Sequence, residues 1–542
     1  MSKESKTEDK PLRLKKEDLE SVEKLIALQF TDSERESILK RLDERLYNYE
    51  RMRSHTIDNS IFPAIQFNPL TPINEQNKHR SKIRKPIKYT KIRNIKLPSK
   101  QKDIAFLPVT HLSSLIKTKK ISSVQLTDIY IRRLKRYDPY LKCVVTLTEE
   151  LAFKQAKRAD EEISNGKYRG PLHGIPWGAK DLLSVKGYPT TWGAEPYRNQ
   201  VIDFNSTVFK RLDDAGAVLV AKLSMGALAM GDYWFGGQTK NPWNLEQGSS
   251  GSSAGPGATV SGGLVGFAIG TETLGSIISP SSRCRITGLR PTYGWVSRYG
   301  AMALSWSMDK IGPMCRSVED CALVMNAIYG PDGLDPTLAD YAFNWDSGKD
   351  VSSLRVGYLV PNADLDENLK PYYNNTLKHL KNMGINLNPI KLPDFPVRDI
   401  SFVLGTEAAA AFDELTRSNR DNLLTRQTEQ SWPNSFRASR YVPAVEYIQA
   451  NRLRSILMKK MADLMETIDI YISPIRGTSN LTLTNLTGHP TVVIPNGLNA
   501  DGIPCSSITF TGQLYGDAEL CALAKFYQDA TDFHLVHPKM NY

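Results

Sequence analysis

Nowhere does the chain approach the run of about 18 apolar residues that a membrane span needs, and its start, MSKESKTEDKPLRLKKEDLE, has no apolar core. Neither a transmembrane helix nor a secretory leader is expected, so a cytoplasmic protein without a membrane partner is predicted. Cysteine is scarce. Cys143, Cys284, Cys315, Cys321, Cys505 and Cys521 are the six, and no two form a CxxC pair. That spacing speaks against a zinc knuckle or a disulfide framework and predicts reduced, mostly buried thiols. The eight histidines include no HExxH and no close group with Asp or Glu, so no metal and no other cofactor is expected. Acid is absent from one stretch in particular: Lys78 to Lys102 holds eleven Lys or Arg and no Asp or Glu. The other 58 basic residues balance 58 acids, so the net charge of +11 is a local feature.

What is present is ordinary globular composition, 41% hydrophobic and 23% charged, on a chain long enough for a large core. Residues 15–53 read as two helices. Leu19, Val22, Leu25 and Ile26 share one side of the first. The second opens at Thr31 with Glu34 three residues on, a capping box, and carries Ile38, Leu42, Leu46 and Tyr49 as a stripe. Such a hairpin is expected to bury its apolar side on something larger. Residues 54–104 follow as a proline-containing segment in which Ile83, Ile87, Tyr89, Ile92 and Ile95 interleave with the basic residues. A surface strap, apolar groups inward and charges solvated, is the plain expectation; a polyanion contact is the sharper one, since lysine-rich runs bind phosphates through counterion release. No nucleic-acid module accompanies the run, so nucleic acid is disfavoured as a partner and only residues 78–102 keep it open.

From about Ile104 helices alternate with short apolar strands. A helix opens at Ser122 with Gln125 and runs to Tyr137; strands are expected at Cys143–Leu147, Ile175–Lys180 and Ala217–Ala221, with a helix at 206–214. A mainly helical insert, 331–465, holds one strand near Leu354–Leu359; strands return at Ile468–Ile472, Thr491–Ile494 and Ser506–Phe510, before a helix from Asp517. The alternation predicts an α/β fold, a mixed central β-sheet covered by helices, with residues 1–104 as an N-terminal extension of helical hairpin and basic strap, and 105–542 as the main domain.

Chemistry concentrates in Gly251 to Ser276, GSSAGPGATVSGGLVGFAIGTETLGS. Gly, Ser and Ala let backbone N–H groups approach a ligand closely, and Ser252 and Ser276 supply hydroxyls. One hydroxyl to attack and backbone donors to hold an oxyanion suit acyl transfer; a flexible linker would not carry LVGFAIG in its middle. Lys180, at the end of an apolar strand, is a candidate base. At pH 7 an ordinary lysine sits about 3.4 units below its pKa, so neutrality costs roughly 4.6 kcal/mol, which burial can supply. Asp181 opposes this unless its carboxylate points elsewhere. A rival is Gly251-Ser252-Ser253-Ala254-Gly255, a G-x-S-x-G match with Ser253 as nucleophile and His489 or His534 as base; the strand-turn-helix context that motif needs is missing.

GIPWGAKD, GSSAGPGATVSGG, GTETLGS, GLRPTYG and DKIGP, in that order, resemble the amidase signature family, as does the late LTGHPTVVIPNG. The resemblance covers roughly residues 105–542. It implies a mixed sheet wrapped by helices, a C–N hydrolase acting on a small-molecule or peptide carboxamide, and a Ser–cisSer–Lys triad. The nucleophile then maps to Ser276, the bridging serine in a cis peptide to Ser252, and the base to Lys180. The oxyanion donors map to the N–H groups of Thr273, Leu274, Gly275 and Ser276. Ser249 competes with Ser252, because Gln247-Gly248-Ser249-Ser250-Gly251 repeats the Gly-Ser-Ser pattern, but only Ser252 keeps the family spacing to Ser276. The family also includes A subunits of glutamine-dependent tRNA amidotransferases, which gives the alternative of a glutaminase subunit; a homodimer is left open. Three positions depart from the usual pattern: Glu272 stands for an aspartate, Leu274 replaces a glycine, and Ile278 stands where an arginine is usual. Arg283 is the candidate substitute for that cation.

Overall fold

The computed structural model describes residues 12–70, 80–360 and 367–542; Lys78 of the basic run and residues 1–11 of the polar N-terminus lie outside these. A mixed eleven-stranded sheet forms the centre. Its strands in chain order are β1 (Val144–Leu147), β2 (Pro176–Lys180), β3 (Val218–Leu223), β4 (Phe267–Glu272), β5 (Thr287–Arg290), β6 (Lys310–Cys315), β7 (Val356–Leu359), β8 (Leu387–Ile390), β9 (Ile470–Pro474), β10 (Thr491–Leu498) and β11 (Pro504–Gly512). Across the sheet they run β1-β3-β2-β4-β6-β5-β10-β11-β9-β7-β8. β2 lies parallel to both neighbours, with Trp177 opposite Phe267 and Ala179 opposite Ile269 on β4; β4, β6, β5, β10, β11 and β9 pair antiparallel in succession. Every residue of β2, β3, β4 and β6 is buried, as expected of strands covered on both faces.

Several local signals act as the sequence predicts. Ser122 and Gln125 form a reciprocal capping box on the helix Ser123–Leu141, and Thr31 and Glu34 form another on the helix Asp32–Arg53. The strands near 356, 470, 491 and 506 form within a few residues of their expected places. Within the insert a second strand, β8, pairs parallel with β7 at the sheet edge; its sequence Leu-Asn-Pro-Ile has little alternation, and proline is tolerated there because an edge strand leaves one side unpaired.

The N-terminal helices, Lys16–Ile26 and Asp32–Arg53, correct one expectation. They pack on each other, and among the described residues no hydrogen bond or ion pair ties them to the main body. Arg35 reaches across to Glu23 with two N–H donors at 2.9 Å, and Leu19 and Leu39 are buried between them. Val22 and Leu25 remain 50% and 62% exposed. The strap, by contrast, is seated on the main body: Ile87, Tyr89, Ile92 and Ile95 pack against the large core cluster. Part of its charge is paired: Arg80 with Glu519 at 3.4 Å, Arg84 with Asp340 at 3.2 Å, and Lys88 with Asp346 at 2.7 Å. Ile83 is exposed. No described helix is long and apolar enough to cross a membrane. All six cysteines are unpaired, five of them buried.

Candidate active site

Parallel pairing of β2 with β4 brings the C-terminal ends of both strands to one edge, the usual place for a site in an open α/β sheet. β2 ends on Lys180 and β4 ends on Glu272, so the lysine and the turn 273–276 meet there. The third part arrives from the loop after β3, which enters the buried helix Ala254–Ser261 through Ser252 and Ser253. Two glycines make the approach possible. A Cβ on Gly251 would fall 1.8 Å from the Gly231 carbonyl oxygen, and Gly275 adopts φ +86°, a region costly for residues with a Cβ. The Gly251–Ser252 peptide bond is cis.

Lys180 is fully buried. Its Nζ lies 2.8 Å from Ser252 Oγ, 2.8 Å from Thr271 Oγ1, 3.1 Å from Ser253 Oγ and 3.4 Å from the Thr271 carbonyl oxygen. Burial lowers its pKa from 10.5 to about 7, against the opposing pull of Asp309 and Glu272. Asp181 does point elsewhere. Its carboxylate pairs with buried Lys222 at 2.7 Å and accepts the Thr191 N–H at 2.9 Å. The negative charge next in sequence to Lys180 is thus neutralised by a different lysine.

Ser276 is 7% exposed, and its carbonyl accepts the Ser253 N–H at 3.2 Å, which ties the two serine segments together. Among the described residues no hydrogen bond joins the Ser276 and Ser252 hydroxyls. Nor do the N–H groups of Thr273, Leu274, Gly275 and Ser276 meet an acceptor there, whereas those of Ile277 and Ile278 both donate to Glu272 Oε2 at 2.9 Å. A run of unpaired N–H groups in a nearly closed turn is rare in folded proteins and makes a ready anion cradle. Leu274 is half-buried. Ser249 turns its hydroxyl to the Ser250 carbonyl at 2.9 Å and makes no hydrogen bond to Lys180 among the described residues.

Sequence reasoning did not find the residues that hold this turn. Burial alone would raise the Glu272 pKa, but Arg290 at 2.8 Å and the two backbone donors bring it to about 2. Asn485 donates to the same carboxylate at 2.9 Å and accepts from buried Lys310 at 2.8 Å. Lys310 is held well below its usual pKa by burial; none of its hydrogen-bond partners among the described residues is a hydroxyl. Thr273 donates to Asp309 at 2.6 Å. The pattern Glu272-Thr273 was visible as a departure from the family's Asp, but its partners lie up to about two hundred residues away. Among the described residues no hydrogen bond joins Ser253 to His489 or His534: Ser253 Oγ exchanges hydrogen bonds with the Thr271 N–H and carbonyl at 3.1 Å. His489 is instead bonded to Thr487 at 2.8 Å, and burial lowers its pKa to about 3.

Two cavities flank the site. A void of about 20 Å³, room for about one water, lies between Thr271, Thr273 and Asp309 and the N-terminal residues Asn59 and Phe62. Asn59 imitates a strand there, accepting the Ala303 N–H at 2.7 Å and donating to the Ala303 carbonyl at 3.0 Å. On another side a cleft of about 590 Å³ opens along Ser250, Ile278 and Ser279.

A family model described as Amidase matches residues 125–521. The chain is 32% identical over 482 residues to the A subunit of a Glutamyl-tRNA(Gln) amidotransferase from Marinomonas sp., covering 80% of this chain and 98% of that protein. It is 31% identical over 491 residues to the protein of the same name from Dehalococcoides mccartyi, covering 81% and 100%. The native peptide amidase from Stenotrophomonas maltophilia superposes with a TM-score of 0.71 at 26% identity, over 80% of this chain and 99% of that one. The chain therefore belongs to the amidase family of enzymes, whose mixed sheet flanked by helices it shares.

Proposed function

We propose that the protein hydrolyses a carboxamide through a serine acyl-enzyme, with Ser276 as nucleophile, Ser252 as proton relay and Lys180 as base. The observation that carries this reading is the burial of Lys180 among three hydroxyls, with its pKa lowered to about 7. A neutral amine has two N–H donors and one lone pair. The Ser253 hydroxyl is already committed as a donor to the Thr271 carbonyl, so it can only accept from the amine. With Thr271 Oγ1 taking the second donor, the lone pair is left for the Ser252 O–H. Ser252 then gives its proton to Lys180 as it takes one from Ser276, and the alkoxide never stands free. The oxyanion that forms would be met by the N–H groups of residues 273–276, which need no reorganisation to receive it. The amine leaves with the returned proton, and water completes the cycle.

A fluorophosphonate should label the protein at Ser276 and at no other serine, and Ser276→Ala should lose both the label and the hydrolysis of an amide panel that includes glutamine and C-terminally amidated peptides. A label on Ser253, or turnover that survives Ser276→Ala, would remove the assignment. The second reading, a glutaminase component that passes ammonia to a charged tRNA, is favoured by the 32% identity to an amidotransferase A subunit. Glutamine hydrolysis that appears only with added partner subunits would decide for it.

A further inference from the structure

Among the described residues, the cleft beside the Ser276 turn is lined by charge of one sign: Arg283, Arg285 and Arg476, with no Asp or Glu. Its inner wall is Ser250, Ile278 and Ser279, chain neighbours of the cis peptide on one side and of Ser276 on the other. Arginines elsewhere in this region have protein acids to neutralise them: Arg290 pairs with Glu272 at 2.8 Å and Arg298 with Asp335 at 3.1 Å. Arg283 and Arg476 are exposed and, among the described residues, make neither an ion pair nor a side-chain hydrogen bond. Arg285 is half-buried, its guanidinium 4.5 Å from the centroid of the Trp243 ring. Stacking of that kind holds the group without using its N–H donors. Leu369, Ile475 and Leu481 add apolar surface to the same cleft. Three guanidiniums whose donors meet no acceptor among the described residues, beside a short apolar wall and next to the turn that would hold an acyl group, make a receptor for an anion attached to a small carbon chain.

We propose that this cleft binds an anionic group of the amide substrate, so that the amide acted on carries a carboxylate or a phosphonate-like group in addition to its C–N bond. This rests on the amidase reading above, and binding can be tested separately from turnover. The Ser276→Ala chain is titrated calorimetrically with glutaramate, 3-phosphonopropanamide and, as the neutral counterpart, pentanamide. At least one of the two anions should bind at least tenfold more tightly than pentanamide, and the preferred one identifies the source of the charge. Arg283→Gln and Arg476→Gln should each weaken that anion about tenfold, as expected for one charge-assisted hydrogen bond, and leave pentanamide unchanged. The preference should also shrink with added salt. Equal or unmeasurable affinity for all three compounds, or a preference that persists when both arginines are replaced, would overturn the proposal. Because no bond is broken in this assay, an inactive enzyme with the preference intact would sink the amidase mechanism and leave the anion site, while an active enzyme without the preference would do the reverse.

Discussion

Replacing Lys180 by methionine separates the two roles a buried amine can have. The side chain keeps an unbranched shape of similar length in a slot closed to solvent. In the native protein the lysine pKa falls from 10.5 to about 7 through burial, a shift of roughly 3.5 units or about 5 kcal/mol at 1.36 kcal/mol per unit. The sign follows from proton counting. Below about pH 7 the amine is protonated in both folded and unfolded states, and the whole cost of burying the charge is present. Between 7 and 10.5 the unfolded chain holds a proton that the native one has released, so wild-type stability rises with pH. Above 10.5 both are neutral and the cost is gone. Methionine removes this cost but leaves Ser252, Ser253 and Thr271 without their amine partner, roughly 3 kcal/mol at about 1 kcal/mol for each bond. The variant should therefore be inactive and yet more stable than wild type by roughly 2 kcal/mol near pH 7, a rise of a few degrees in Tm. The advantage should vanish and then reverse as the pH approaches 10. Thermal unfolding of both proteins at a series of pH values measures it. A variant that is less stable at every pH by a constant amount would mean that Lys180 titrates normally, and the reasoning would fail.

Two further perturbations test the scaffold. Glu272→Gln leaves the Arg290 guanidinium buried without its counter-charge, which should cost about 3–5 kcal/mol and slow turnover through a loosened Ser276 turn; denaturant unfolding with wild-type stability would contradict it. Removing residues 1–102 uncovers the core surface under Ile87, Tyr89, Ile92 and Ile95. At about 1.5 kcal/mol for buried Ile95 and roughly half that for each of the three half-buried side chains the loss should be about 4 kcal/mol, so an unchanged melting temperature would show that the strap contributes nothing.

Local signals made much of this structure legible from the sequence alone. The capping residues Ser122 and Thr31 act on their own helices, and the apolar strand ending at Lys180 needs only its composition to be recognised. Strands such as Thr287–Arg290 and Lys310–Cys315 were not legible, because Thr-Gly-Leu-Arg and Lys-Ile-Gly-Pro-Met-Cys have no alternation; antiparallel pairing with neighbours far along the chain makes them strands. The same distinction applies to the site. Short motifs contain Lys180, Ser252 and Ser276, but the partners that neutralise Asp181 and fix Glu272 (Lys222, Arg290 and Asn485) are set by tertiary contact. Asn59 and Phe62 reach the site from a segment that carries no chemical motif. The hairpin formed where expected, but its apolar stripe resembles one that needs a larger host, whereas the Arg35–Glu23 pair and two buried leucines close it on itself.

The central claim is that an uncharged Lys180 draws the proton from Ser276 through Ser252. Its most direct test is the rate of fluorophosphonate labelling of Ser276 as a function of pH, in wild type and in Lys180→Ala. Wild-type labelling should climb about tenfold per pH unit below about 7, where the amine is protonated, and level off above it, while Lys180→Ala should be slow and lack that inflection. A wild-type rate that is flat across this range, or a Lys180→Ala profile that matches it, would contradict the account.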